Sequence, residues 1–190
     1  MQKVVFLCLL VIPAMRSHES HSHDPIRAHA KRVVRNGEFL FEVTASGFVH
    51  ATPQHVWQVL TDYTGLPDFI PDLLTVKILS RRGNAVRIEQ RSISGFLFLS
   101  HTVRMVLQIE ETPCTTIDVA LVDGDMRHYN THWDITPAVE GSATGTRITF
   151  SGAIEPKFPV PPLVGRTIVE ANLKRTVEAV VAEIERRNVH

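Results

Sequence analysis

The chain is 190 residues long, carries 20 lysines and arginines against 20 aspartates and glutamates, and has a formal net charge of zero. That length suits one domain with a sizeable core, and the balance of charge disfavours nucleic acid or another polyanion as partner. The two cysteines, Cys8 and Cys114, provide no disulfide framework.

Lys3 precedes an apolar run from Val4 to Ala14, too short to span a bilayer and of the right length for the core of a signal peptide. Residues 1–15 are therefore expected to direct export, making the chain periplasmic or secreted. Ile12 to Ala14 is a poor cleavage match, and a cytoplasmic protein with an apolar tail is the alternative. Residues 16–36 turn polar, hold His18, His21, His23 and His29, and show no repeating apolar face, so a flexible leader is expected there. The His21-Ser22-His23 spacing suits a weak Zn or Cu site, but a solvated linker explains the same residues and no metal site is assigned.

The domain is expected over residues 37–188. Phe39, Phe41, Val43 and Ala45 alternate with Leu40, Glu42, Thr44 and Ser46, the period of a strand with one buried face. Thr52-Pro53 supplies a cap and a first helical residue, and Val56, Trp57, Leu60 and Tyr63 mark the helix's inner side. Two prolines in LPDFIPDL leave room for at most a short second helix. Alternation then predicts strands through Leu74, Val76 and Ile78; Val86 and Ile88; Val103 to Ile109; Ile117 to Leu121; Tyr129 to Ile135; and Ile148 to Ile154. Turn signals at Arg82-Gly83-Asn84, Thr112-Pro113 and Asp123-Gly124-Asp125 separate them, with a loose turn over Gly141 to Gly145. After a proline-rich stretch, a helix from about Val164 to Arg187 carries Val169, Leu173, Val177, Val180 and Ile184 on one face.

Three stretches, VWQVLTDYTGLPDFIPDL (56–73), LVDGDMRHYNTHWDI (121–135) and EPKFPVPPLVGRTIVEANL (155–173), resemble the START-like, or SRPBCC, helix-grip superfamily. Within it they are most similar to the polyketide cyclase/dehydrase and lipid-transport branch that includes coenzyme Q-binding proteins. The resemblance covers about residues 37 to 187. It implies an α+β fold in which an antiparallel sheet of about seven strands wraps a long carboxyl-terminal helix, with two short helices after the first strand and a cavity between sheet and helix.

Trp57, Tyr63, Phe69, Gln90, Met105, Tyr129, Trp133, Phe150, Phe158, Val169, Leu173 and Val177 are the candidate ligand-binding residues: large adaptable apolar surface, with Gln90 as a polar contact. Each apolar member has core packing as its competing explanation. No catalytic triad, zinc spacing, phosphate loop or nucleotide fingerprint is present in the sequence, so no catalytic residue, metal or cofactor is assigned. His101, His128 and His132 read as surface histidines. Phe96 to Leu99 reads as a strand or as a hairpin tip able to touch a membrane during ligand exchange. The expected function is noncatalytic binding or transport of a small hydrophobic ligand, such as a lipid, an isoprenoid quinone or a polyketide-like aromatic. The alternatives are a cyclase or dehydratase, for which the inward sense of Gln90 or Arg91 is the discriminator, and a protein-binding module like the ribosome-association relatives.

Overall fold

A computed structural model describes residues 26–35, 37–96, 99–157 and 165–189, with backbone alone at 94–96 and 99–100. The expectations for the amino-terminal apolar run, for His18, His21 and His23, for the Leu97-Phe98 tip and for Phe158 fall outside the described residues.

Eight strands, β1 (Arg27–Arg35), β2 (Glu38–Val49), β3 (Leu73–Arg82), β4 (Ala85–Phe96), β5 (Leu99–Thr112), β6 (Thr116–Gly124), β7 (Met126–Glu140) and β8 (Ala143–Pro156), form a single antiparallel sheet. Its order is β1-β2-β8-β7-β6-β5-β4-β3, so a meander from β3 to β8 is closed on β2. Helix α1 (Pro53–Leu60) and a 3-10 turn at Leu66–Asp68 lie between β2 and β3, and helix α2 (Gly165–Asn188) ends the fold. Thr52 caps α1 by accepting from the His55 amide at 3.3 Å, with Pro53 following where no amide is needed.

The strand count exceeds the expected seven by β1, which occupies residues assigned to the flexible leader; the ordered fold thus begins ahead of Gly37. Alternation missed β1 because its inward residues are Ala28 and Ala30, too small to register as an apolar face. Their size suits the site, since α2 packs directly on β1 and β2, and the Ala30 amide donates to Glu170 of that helix at 3.2 Å. Glu170 therefore braces the edge strand. At the other edge, β3 departs from its simple alternation through two register shifts. Val76 is buried there, while Leu74 and Ile78 stay exposed.

The turns obey the local chemistry. Gly83 and Gly141 each hold φ near +58 to +59 in two-residue hairpins, the second replacing the loose turn expected over 141–145. Gly145 instead sits inside β8, where a Cβ would come 2.2 Å from the Val49 carbonyl oxygen.

The core gathers where α1, α2 and the β2–β8–β7 part of the sheet meet. Val177, Val180 and Ile184 are fully buried there, alongside Val49, Val56 and Ile148. At Gly47 the sheet has no side chain, and Ile26 and, from α2, Val181 close over it; a Cβ there would stand 2.4 Å from the Ile26 Cδ1 and 3.3 Å from a Val181 methyl. Ionic contacts finish the anchor: Arg187 bonds Asp62, in the turn after α1, at 3.0 Å and Glu183 at 2.6 Å, and Arg186 bonds Glu183 at 2.7 Å.

The hydrogen bond from Arg186 leads the effects that depress the Glu183 pKa to about 2, followed by the opposing effect of burial and the bond from Arg187. A carboxyl held below its unfolded value stabilises the fold above the unfolded pKa, and that contribution is lost as pH falls through the folded one. Unfolding midpoints in urea should therefore drop between about pH 5 and about pH 2, and Glu183→Gln should flatten that part of the profile. An unchanged profile in the variant would assign the acid sensitivity elsewhere.

Candidate functional site

The amino-terminal half of α2 does not repeat the packing of its other half. Val169 and Leu173 share a stripe with Val177, Val180 and Ile184, yet they remain only half-buried. Opposite them, Val119, Tyr129, Trp133, Phe150 and Ile154 face inward from the sheet and also stay half-buried. Inward residues retain accessible surface when the space before them is empty. That space is a cavity of about 520 Å³ between α2 and the concave face of the sheet, within the range of about 300 to 1,000 Å³ usual for small-molecule sites.

Strand register orders the wall from the closed end to the mouth. Trp133 opposes Phe150, their rings meeting edge to face with centroids 5.0 Å apart, and Ile117 continues that row. The next row carries Thr131, Val119 and Ile109, and the row after it Tyr129 and Ile154. Nearer the mouth stand Gln90 beside Met105 and Ser92 beside Val103. The rim is made by Ile70 to Leu73, by Ile93 and His101 at the far end of the β4–β5 hairpin, and by the exposed side of α2. Arg175 of α2 bonds Asp72 across this rim at 2.9 Å.

Nine of the candidate residues line the cavity: Tyr63, Gln90, Met105, Tyr129, Trp133, Phe150, Val169, Leu173 and Val177. Trp57 and Phe69 do not. Trp57 is turned into the packing around α1, and Phe69 lies under the Arg187 guanidinium, 5.8 Å from the ring centroid. The sequence also left out wall residues that its own alternation contained. Val119, Ile109, Leu107 and Ile88 lie on predicted inward faces but were passed over in favour of aromatics, and Thr131 lies between Tyr129 and Trp133 on the face already identified as inward. His101, read as a surface residue, contributes to the rim, whereas His132 faces outward and bonds Asp118 at 2.8 Å.

Polar groups on the wall are few and mostly committed. The Tyr63 phenol donates to Glu111 Oε1 at 2.8 Å, and Arg81 grips the same buried carboxylate through both terminal nitrogens at 3.0 and 3.2 Å. Burial first, then donation to Glu111, pushes the Tyr63 pKa far above its ordinary value. The group is therefore a neutral hydrogen-bond donor rather than a base. Gln90 points inward and Arg91 outward, where Arg91 lies 3.6 Å from Glu89. An amide can orient a guest but has no proton to trade, so the inward member of that pair brings no acid or base. Among the described residues no cluster of three or more histidine, cysteine, aspartate or glutamate side chains could hold a metal ion.

A profile of the family described as polyketide cyclase/dehydrase and lipid transport matches residues 49–181. No curated protein sequence matches the chain. Among solved structures, a STAR-related lipid transfer protein from Xanthomonas axonopodis is similar over 85% of this chain and 94% of its own, at 16% identity and a TM-score of 0.64. An aromatase/cyclase from Streptomyces sp. R1128 is similar over 78% of this chain and 95% of its own, at 20% identity and a TM-score of 0.61. A START superfamily protein from Mycobacterium smegmatis is similar over 76% and 97%, at 16% identity and a TM-score of 0.61. At these identities the likeness is one of fold, and it confirms the α+β helix-grip architecture.

Tyr63→Phe keeps the ring on the wall and removes only its bond to the buried Glu111. It should lower the unfolding free energy by about 1–3 kcal/mol in urea titrations. An unchanged midpoint would show that Arg81 alone satisfies that carboxylate.

Proposed function

The chain belongs to the polyketide cyclase/dehydrase and lipid-transport family, and from that premise we propose that it is a noncatalytic carrier of a small hydrophobic molecule held between α2 and the sheet. The observation that carries this reading is the character of the wall. Its deeper rows are built from Trp133, Phe150, Ile117, Val119, Ile109 and Leu107, with no carboxylate, lysine or arginine among the described lining residues below the rim. Water in such a space finds few partners, so an apolar guest gains free energy in proportion to the surface it hides, about 25 cal/mol per Å².

A lipid, an isoprenoid quinone or a polyketide-like aromatic meets these requirements in chemical class. A cyclase would need an acid or base facing the guest. His101 is the one imidazole among the described wall residues, and it stands at the rim rather than in the body of the cavity. Transient contact of the mouth with a membrane would deliver and collect such cargo. Export through residues 1–15 belongs to the same reading, and amino-terminal sequencing of protein from its native host tests it: an intact Met1 would remove the export.

The neutral fluorescent probe N-phenyl-1-naphthylamine should bind saturably with one site per chain. Leu173→Trp, which fills the cavity from α2 without burying charge, should weaken that binding at least about tenfold while leaving the circular dichroism spectrum unchanged. Failure of the wild-type protein to bind this probe, ubiquinone analogues or fatty acids would sink the carrier reading.

A further inference from the structure

Within the apolar middle of the cavity one polar group has no hydrogen-bond partner. Thr131 is 2% exposed, and its hydroxyl oxygen is buried and unpaired among the described residues. Leaving a hydroxyl buried and unbonded is costly, and a valine would fill the same volume at no such cost. Its surroundings do not relieve it. The same row holds Val119 and Ile109 on one side, and on the other Gly152, where a Cβ would come 2.8 Å from the Thr131 methyl.

Two residues earlier on the same face of β7 stands Tyr129, the other hydroxyl at this depth. Its ring is half-buried and lines the cavity. Burial raises the phenol's pKa and the nearby Thr131 hydroxyl draws it partly back, so the two oxygens lie within each other's influence although no bond of ordinary geometry joins them. The phenol is thus a neutral O–H at ordinary pH on the wall of an otherwise oily space. Gln90, the next polar group of the wall, stands closer to the mouth on β4.

We propose that the guest carries a hydrogen-bond-accepting oxygen of carbonyl type within its apolar body, and that the paired hydroxyls of Tyr129 and Thr131 hold it. This inference rests on the carrier reading and narrows its ligand class: a plain hydrocarbon chain, or an amphiphile whose only polar group lies at the rim, leaves both hydroxyls unserved. A ketone, quinone or aromatic polyketide carbonyl at mid-depth accepts from the Tyr129 phenol, with Thr131 placed to support the same oxygen after a small adjustment of either side chain.

The test compares fluorene with fluorenone, rigid tricycles that differ by one central carbonyl oxygen, each displacing N-phenyl-1-naphthylamine from the wild-type protein, Thr131→Val and Tyr129→Phe. The wild type should prefer fluorenone by about tenfold, and both variants should bind fluorene as well as the wild type while losing the preference. Thr131→Val should also melt no lower than the wild type when empty, because it removes an unpaired hydroxyl rather than a structural bond. A wild type that does not distinguish the two compounds, or a preference that survives in both variants, would overturn the anchor and leave the carrier reading standing. Binding of neither compound, nor of the probe, would overturn both. Should Thr131→Val fail to fold, Tyr129→Phe decides alone: loss of the preference supports the anchor and its survival overturns it.

Discussion

Everything in this fold depends on how one rigid helix is held. Helix α2 is clamped along its carboxyl-terminal half by Val177, Val180 and Ile184 in the core, by the close approach of Val181 over Gly47, and by Arg187 on Asp62. Beyond that half the helix is held on the edge of the sheet, where Glu170 accepts from the Ala30 amide of β1. Its principal partners are β1, β2 and α1 rather than the middle strands. The helix cannot settle on β5 to β7 without giving up its clamp, so the gap beneath Val169 and Leu173 is maintained by packing elsewhere.

The distribution of polar groups follows from the same geometry. Charges that touch the site are kept at the rim, as with Asp72 and Arg175, or are satisfied behind the wall, as with Glu111 beneath Tyr63. A charged group in the middle rows would face a space with little solvent to stabilise it. The hydroxyls of Tyr129 and Thr131 are the exception, and they are small and neutral enough to be tolerated. The rim pair has a further consequence: Asp72 holds a positive φ of 64°, its carbonyl accepts from the Ile93 amide at 2.7 Å, and its carboxylate reaches α2. One residue thereby ties the loop before β3, the β4–β5 hairpin and the helix together at the entrance.

Much of this was legible in the residues. Period-two alternation located seven of the strands, the Thr52-Pro53 cap located α1, and the 4-4-3-4 spacing of the final stripe placed α2 within a residue of its observed ends. What escaped has physical causes. Strand β1 turns Ala28 and Ala30 toward the helix, and alanine is silent in a hydrophobic pattern. Edge strand β3 is bent by two register shifts, so its pattern of burial is not its pattern of hydropathy. In the cavity, preference for aromatic residues brought in Trp57 and Phe69, whose large surfaces serve the packing around α1 and the Arg187 contact. The same preference passed over Thr131 and the aliphatic wall of β5 and β6. A sequence shows which face a side chain takes, but whether that face meets another side chain or empty space depends on where the helix is clamped, several strands away.

The central claim is that the space between the amino-terminal half of α2 and the middle strands stays open. Crystallography of the empty protein under xenon pressure tests it directly, because xenon enters apolar voids that water avoids. The account predicts a xenon peak enclosed by Val119, Ile109, Trp133 and Leu173, with the helix unmoved. A structure in which Val169 and Leu173 rest against Val119 and Tyr129, with no xenon between them, would contradict it.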